Sequence, residues 1–366
     1  MRYKLLGPTG LKVSSLCLGA MTFGEDWGWG ASKEESRAVF DRFTEAGGNF
    51  FDTSGNYTNG TSERYLGEFV RADRDRYVVS TKYSSSTDPS NPNASGNARK
   101  NLRASVDASL ERLGCDYIDL LWLHVWDFLT PAEEVMRGLD DMVRSGKVLY
   151  VGISNAPAWV VSRCQMLAEL RGWSSFAAMQ LLYSLTQRDV EREFLPMANE
   201  LDLAICPWSP LDQGLLTGKY TRKGAASGLR GRVQDDRFHP KQKEIALAVD
   251  AVADACGASS SQVALAWLLQ RSERVIPVVG ARTPEQIVDN LGAVDLQLPD
   301  EHFETLERVS RQPVGWPHYF LGSTSQRKFT YGEVLDSLET GRAIPFQGVH
   351  ASPPESDPFG MGGDEE

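Results

Sequence analysis

Cysteine is scarce in this sequence, and its five copies are widely dispersed. They never show the C-x-x-C spacing that is typical of zinc and redox sites, and their number is odd. The sequence therefore predicts reduced thiols, without a disulfide framework and without a metal site. Reduced thiols are usual in the cytoplasm, where we expect the protein to act. The five residues are Cys17, Cys115, Cys164, Cys206 and Cys256.

Long apolar runs and blocks of basic residues are also missing. No run of about 18 apolar residues occurs, and Gly7, Pro8 and Gly10 interrupt the first segment before the core of a signal peptide develops. The formal net charge is −11, which repels nucleic acid and anionic membranes. We therefore expect a protein that is not exported and binds neither membranes nor nucleic acid.

Eight short runs rich in β-branched and aromatic residues recur along the chain, and segments with helical periodicity separate most of them. Strands buried on both faces and separated by helices predict a parallel sheet. Eight such units favour a single closed (β/α)8 barrel over a doubly wound sheet, because the first turn lacks G-x-G-x-x-G. The predicted strands are 16–21, 49–53, 77–82, 117–124, 148–154, 177–183, 203–208 and 275–280.

The barrel domain is expected to span residues 1–312, with the segment before Leu16 forming a hairpin across its bottom. A long, weakly periodic loop follows the seventh strand at 209–241, a length that usually indicates function or disorder. Residues 313–366 are predicted to form a C-terminal extension whose Tyr319 and Phe320 lie partly over the pocket. Its last dozen residues are expected to be disordered.

Four ionisable side chains lie at or just after the ends of neighbouring strands, which is where catalytic residues lie in such barrels. Asp52, Lys82 and His124 each end an apolar run, and Tyr57 follows Asp52 by five residues. A phenol with a pKa of about 10 is a weak acid near neutrality, and an adjacent ammonium lowers that pKa. We therefore predict that Lys82, held by Asp52, tunes Tyr57 as a general acid, while a neutral His124 orients a carbonyl oxygen.

These four residues and six further motifs resemble the aldo-keto reductase family over about residues 3–312. The resemblance implies a (β/α)8 barrel that catalyses reversible NAD(P)H-dependent reduction of an aldehyde or ketone, with Tyr57 as the proton donor. His124 favours carbonyl chemistry, since relatives that reduce carbon–carbon double bonds often have glutamate there. The motifs are GxxTFG at 19–24, HVWDFLTPAEEVM at 124–136, GKVLYVGISN at 146–155, QLLYSL at 180–185, CPWSPLDQGLLTGKY at 206–220 and GARTPEQIVDNLGA at 280–293.

The same resemblance assigns a binding site for an extended dinucleotide across the strand ends. Arg282 stands beside the start of a predicted helix, where a guanidinium suits a 2′-phosphate, so we expect NADP rather than NAD. The residues expected at the nicotinamide end are Thr22, Asp52, Ser154, Asn155, Gln180 and Tyr183, with Tyr183 stacking on the ring. Those expected along the pyrophosphate and the adenosine are Trp208, Ser209, Leu211, Gln213, Gly214, Lys219, Gly280, Arg282, Gln286 and Asn290.

Three tryptophans near the predicted tetrad are candidates for the wall of the substrate site, together with Tyr57 and His124. Trp27, Trp29 and Trp126 offer aromatic faces that suit a sugar or an aromatic aldehyde or ketone, and packing in the core is the alternative for each. Two other functions share the motifs: a partner protein like the channel β-subunits, and a sugar isomerase or dehydratase that uses a bound cofactor. The sequence leaves the choice between monomer and homo-oligomer open.

Overall fold

A computed structural model describes residues 1–222, 238–337 and 339 of the 366-residue chain. Eight parallel strands form one sheet, flanked by helices, and a two-stranded antiparallel sheet precedes it. A parallel bridge between Ile205 and Val275 joins the two edges of the large sheet, which makes it a barrel. The predicted (β/α)8 barrel with an N-terminal hairpin is therefore confirmed.

The described secondary structure follows the chain in this order. The strands are β1 (Tyr3–Leu5), β2 (Lys12–Ser14), β3 (Cys17–Gly19), β4 (Phe50–Asp52), β5 (Val78–Tyr83), β6 (Ile118–Leu123), β7 (Val148–Ser154), β8 (Phe176–Leu182), β9 (Ala204–Trp208) and β10 (Val278–Gly280). The helices are α1 (Lys33–Glu45), α2 (Thr61–Val70), α3 (Arg99–Leu113), α4 (Ala132–Arg144), α5 (Ala158–Arg171), α6 (Val190–Leu201), α7 (Pro240–Cys256), α8 (Ser260–Arg271), α9 (Pro284–Leu291), α10 (Asp300–Ser310), α11 (His318–Gly322) and α12 (Thr324–Tyr331).

Successive side chains along each strand point alternately into the barrel and out toward the helices, which divides the core into two layers. On β4, Phe50 joins the cluster inside the barrel, whereas Phe51 packs outward and stacks on Phe40 of α1 with ring centroids 5.0 Å apart. The next residue, Asp52, therefore points inward again, and register pairs it with Ser80 on β5. This period-two pattern delivers polar side chains to the mouth, the end of the barrel at the carboxyl ends of its strands.

The hairpin β1–β2 closes the opposite end of the barrel. Leu6 and Val13 are fully buried in the interior cluster, and the Lys4 ammonium donates a hydrogen bond to the carbonyl of Val275 at 2.7 Å. Gly7 turns the hairpin with φ of 55° directly against the backbone of β8 and β9. The hairpin is therefore part of the barrel core and closes the end of the barrel opposite the mouth.

Four described helices outside the eight predicted repeats, α7, α10, α11 and α12, were not predicted from the sequence. The start of α7 carries a recognisable signal, because His239 caps the helix and Pro240 occupies its first turn. The predicted loop over 209–241 is therefore too long, and its residues 223–237 lie outside the described chain. None of the described helices is both long and apolar enough to cross a membrane.

The described part of the C-terminal extension packs against α6. His318 is buried and lies 2.9 Å from a carboxylate oxygen of Glu193, and Arg192 donates a hydrogen bond to the carbonyl of Pro313. Tyr319 and Phe320 are half-buried in this segment. Their position over the pocket stays a prediction, and the expected disordered end lies outside the described residues.

Replacing Gly7 with alanine is expected to destabilise the barrel by about 2 to 4 kcal/mol, since the new methyl group enters both a left-handed conformation and occupied space. A Cβ there would lie 2.1 Å from the carbonyl oxygen of Ala177. Urea unfolding followed by circular dichroism measures the change. Gly10→Ala is the matched control, because nothing lies within 4 Å of its Cβ position. Equal stability of the two variants would contradict the role of the hairpin.

Candidate active site

A buried ion pair lies at the mouth where β4 and β5 end. The Lys82 side chain has no exposed surface, and its ammonium contacts Oδ2 of Asp52 and donates to the carbonyl of Thr53 at 2.8 Å. Oδ1 of Asp52 accepts hydrogen bonds from Ser80 at 2.8 Å and from Gln180 at 3.0 Å. Each charge therefore has a partner of opposite sign and further hydrogen bonds, the condition under which buried charges persist.

The ammonium of Lys82 remains charged in this environment. Burial by itself lowers the pKa of Lys82, but the Asp52 carboxylate and the Tyr57 phenol favour the protonated form and raise the pKa above its ordinary value. A fixed positive charge therefore sits at the base of the mouth near neutral pH.

Tyr57 lies directly above this charge. The Lys82 nitrogen is 4.6 Å from the centroid of the phenol ring, and the ring stands edge-on to His124 with centroids 6.2 Å apart. Burial raises the pKa of Tyr57, and Lys82 acts in the opposite direction with a smaller effect. The prediction that the pKa falls below its ordinary value is therefore wrong, because desolvation of the phenolate outweighs the ammonium.

His124 follows β6 on the other side of Tyr57. Its Nδ1 lies 3.1 Å from the hydroxyl of Ser85. Burial, assisted by the positive charge of Lys82, lowers the pKa of His124 to about 3. The imidazole is therefore neutral near pH 7 and has one N–H to donate.

A hydrogen-bonded row continues across the ends of β7 to β9. The Asn155 amide donates to the carbonyl of His124 at 2.9 Å and to Ser154 Oγ at 2.9 Å, and it accepts from the Trp208 indole at 3.2 Å. Asn155 is exposed at the mouth with φ of 46°, whereas Ser154 and Gln180 are buried beneath it. The predicted nicotinamide-end residues on these strands therefore lie beside the tetrad.

The loop after β9 carries several residues with positive φ. Ser209, Gln213 and Gly214 all have positive φ, and the Lys219 nitrogen lies 3.8 Å from the Cβ position of Gly214. Asp212 is buried and accepts a hydrogen bond from Thr186 at 2.7 Å, which ties the loop to the barrel. A cation and exposed backbone therefore face the same side of this loop, with Leu211 half-buried at its start.

The predicted adenosine end lies at the start of α9. Arg282 is exposed immediately before the capping Thr283, and its backbone N–H donates to the Gln286 side chain at 2.9 Å. Asn290 is buried and reaches the carbonyl of Gly280 at 3.5 Å, and nothing lies within 4 Å of the Gly280 Cβ position. This open backbone beside a helix N-terminus and a guanidinium suits an anionic group.

Thr22 connects this end of the mouth with the loop after β3. Its hydroxyl donates to the carbonyl of Ala281 at 2.8 Å. The first and last barrel strands are neighbours, so this bond holds together the two loops that follow them.

Tyr183 does not belong to the site. Its side chain is fully buried, its hydroxyl donates to Glu191 at 2.7 Å, and its ring packs edge-on against Trp267 of α8. A ring without accessible surface offers no face for stacking, so the prediction that Tyr183 stacks on the nicotinamide is wrong. Tyr183 follows the end of β8, and its side chain points away from the barrel interior. The half-buried Trp208 is the aromatic residue that the structure places beside Asn155.

The predicted tryptophans separate into two groups. Trp27 stands edge-on to Tyr57 with ring centroids 6.3 Å apart and contacts Trp29 at 5.5 Å. Trp126 is 7% exposed and lines a groove between the starts of α4 and α5 together with Trp159. Trp27 and Trp29 therefore border the tetrad, and the contact of Trp126 with a substrate stays a prediction.

Three supporting residues were missed from the sequence. Ser80 and the carbonyl of Thr53 hold the ion pair, and Ser85 holds the imidazole. Ser80 shares an inward face with Lys82 two residues later, so the period of the strand was sufficient to find it. Ser85 lies on a loop after β5, where no sequence pattern indicates which way a hydroxyl points.

The arrangement can transfer a proton. A protonated phenol, an ammonium that favours its conjugate base, and a neutral N–H donor lie next to one another at the mouth. Such a set fits a reaction that places negative charge on a substrate oxygen and then protonates it.

Comparison with known proteins places these residues in a family. A sequence model described as the aldo/keto reductase family matches residues 15–311. Three similar fungal proteins are norsolorinic acid reductase stcV of Emericella nidulans, aryl-alcohol dehydrogenase GME11368 of Pestalotiopsis microspora and aryl-alcohol dehydrogenase [NADP(+)] of Phanerodontia chrysosporium. The first is 40% identical over 89% of this chain and 86% of its own length. The second is 37% identical over 88% of this chain and 85% of its own length. The third is 37% identical over 88% of this chain and 90% of its own length. The chain belongs to the aldo/keto reductase family and is an oxidoreductase that acts on carbonyl groups.

Proposed function

We propose that the protein catalyses reversible NADPH-dependent reduction of an aromatic aldehyde or ketone, with Tyr57 as the general acid. The observation that carries this proposal is the buried pair of Lys82 and Asp52 beneath a protonated phenol and beside a neutral imidazole. Burying two charges at the mouth costs desolvation. The position of the pair under Tyr57 is explained if the ammonium of Lys82 stabilises a Tyr57 phenolate that forms during the reaction.

The residues at the mouth fit a nicotinamide dinucleotide. Asn155 presents an exposed amide, Trp208 an aromatic face, and the loops at Gly214 and Gly280 open backbone that a side chain would fill. Lys219 and Arg282 supply cations for the phosphates on a chain whose net charge is −11. NADPH is proposed over NADH because Arg282 stands at a helix start and because one relative is named for NADP(+).

The reaction adds one hydride and one proton across the carbonyl group. When bound, the nicotinamide supplies the hydride to the carbonyl carbon. Tyr57 gives its proton to the carbonyl oxygen, which becomes the hydroxyl of the alcohol, and Lys82 stabilises the phenolate that remains. His124 donates to the same oxygen from Nε2 when the Ser85 hydroxyl donates to Nδ1, so one serine sets the tautomer.

The aromatic border of the site supports an aromatic substrate rather than a sugar. Trp27 and Trp29 contact each other and place a ring edge-on to Tyr57, leaving apolar faces beside the proton donor. Flat apolar rings gain burial and stacking against such faces. Two of the relatives are named as aryl-alcohol dehydrogenases, which supports the same choice.

Tyr57→Phe is expected to lower kcat for aldehyde reduction by about 100- to 10 000-fold, because it removes the proton donor and keeps the ring. The affinity for NADPH, measured by fluorescence titration, should stay within about twofold. Tyr65→Phe on α2 is the matched control. Reduction at the parental rate by Tyr57→Phe would contradict the assigned acid.

Arg282→Ala is expected to raise KM for NADPH by about 10- to 100-fold and to leave KM for NADH nearly unchanged, because the guanidinium binds the extra phosphate. Steady-state assays with both cofactors measure the ratio. Arg308→Ala, which removes an exposed arginine from α10, is the control. A parallel rise for both cofactors would refute a 2′-phosphate contact.

His124→Asn is expected to weaken the dependence of stability on pH. The pKa of His124 is about 3 in the folded protein and about 6.5 in an unfolded chain, so only the unfolded state gains a proton between these values. Stability is therefore lost as pH falls below about 6.5, by about 2 kcal/mol between pH 7 and pH 5. Urea unfolding at both pH values measures this loss, with His302→Asn as the control. An undiminished loss in His124→Asn would disprove the neutral imidazole.

A further inference from the structure

Tyr57 begins a loop whose backbone is strained. The three residues after it, Thr58, Asn59 and Gly60, have φ of 43°, 54° and 85°. Residues other than glycine rarely adopt positive φ, and they do so where surrounding contacts hold them. The position of the phenol above Lys82 therefore depends on whatever fixes this loop.

One side of the loop is fixed by Thr58. Its buried hydroxyl donates to the carbonyl of Phe23 at 2.7 Å and accepts from the backbone N–H of Ser62 at 3.1 Å. These bonds attach the middle of the loop to the segment after β3 and to the start of α2.

The other side of the loop rests on Arg112, near the end of α3. A Cβ on Gly55 would lie 2.8 Å from Nη2 of Arg112, and a Cβ on Gly60 would lie 2.7 Å from its Cδ. The arginine side chain therefore runs beneath both ends of the loop that carries Tyr57. It occupies space that a side chain larger than that of glycine would fill at positions 55 and 60. Gly67 allows this by letting α2 approach the backbone of Leu113.

Glu63 holds Arg112 in this place. Glu63 on α2 is fully buried, and its Oε2 accepts a hydrogen bond from Nε of Arg112. Its Oε1 accepts from the hydroxyl of Thr81 at 2.6 Å. Thr81 immediately precedes Lys82 on β5, so one carboxylate joins the strand that carries the lysine to the arginine that contacts the Tyr57 loop.

We propose that Arg112 is a positioning residue that, through Glu63, fixes the Tyr57 loop at the height at which the phenol meets Lys82 and the substrate oxygen. This inference rests on the proposed function, because it assigns Tyr57 the proton transfer. Arg112 acts from outside the barrel, on α3, whereas Asn155, Lys219 and Arg282, which are proposed to bind the cofactor, follow β7, β9 and β10. Its loss should therefore affect the chemical step and leave cofactor binding unchanged.

Arg112→Ala is expected to lower kcat by about 10- to 100-fold, the effect of a reacting group displaced by about 1 Å. KM for the aldehyde and the affinity for NADPH should each stay within about threefold. Arg112→Lys should recover most of the lost kcat, because an ammonium can still pair with Glu63. Arg103→Ala is the control, since Arg103 lies on the same helix and is exposed. An unchanged kcat in Arg112→Ala would overturn the proposal.

Gly55→Ala tests the contact without breaking the ion pair. The φ of Gly55 is not in the left-handed region, so alanine fits the backbone, and its methyl group displaces only the arginine. We expect kcat to fall by about tenfold in the parent and to change by less than about twofold in the Arg112→Ala background, where the space is open. Equal factors in the two backgrounds, or a parental kcat in Gly55→Ala alone, would overturn the contact.

Hydrogen–deuterium exchange over residues 53–62 gives a measurement that is independent of activity. Arg112→Ala should speed exchange of this segment in the protein with NADPH bound, and Arg103→Ala should not. If the parent reduces no carbonyl compound, the proposed function fails, and the exchange still decides whether Arg112 holds the loop. Unchanged exchange in Arg112→Ala would refute the positioning role directly.

Discussion

The pairing of Lys82 with Asp52 is the interaction on which the site depends. A lysine without exposed surface survives as a cation only beside a carboxylate, and this carboxylate is itself held by Ser80 and Gln180. The same charge adds to the effect of burial that keeps His124 neutral, and it opposes the effect of burial on Tyr57. The ion pair and burial therefore act together on the protonation states of Tyr57 and His124.

The barrel provides the rigidity that this pair requires. Asp52, Ser80 and Lys82 lie on adjacent strands whose register is fixed by two layers of apolar side chains, one inside the barrel and one beneath the helices. A slip of one residue in either strand would exchange these layers and turn the charges toward the helices. Packing of residues such as Phe50 and Phe51 therefore specifies the electrostatics at the mouth.

The fold and the tetrad could be predicted from the sequence because both follow the period of the strands. Asp52, Lys82 and His124 end apolar runs, and the ends of parallel strands meet at one edge. The same period could have placed Tyr183 outside the barrel, because it follows the inward-facing Gln180 by three residues and shares the outward parity of Leu181. The net direction of the pKa shift of Tyr57 could not be predicted from the sequence. It is a balance between burial and the charges of Lys82 and Asp52, which depends on their distances from the phenol.

The plug formed by Leu6 and Val13 has a consequence for how the site exchanges protons with water. Within the described chain, the hairpin packs into the lower end of the interior, so water approaches the tetrad from the mouth. A dinucleotide and a substrate bound over the strand ends would then exclude water from Tyr57 and the groups beneath it. The proton that Tyr57 gives to the substrate would then be replaced from water only after the product leaves, once in each turnover.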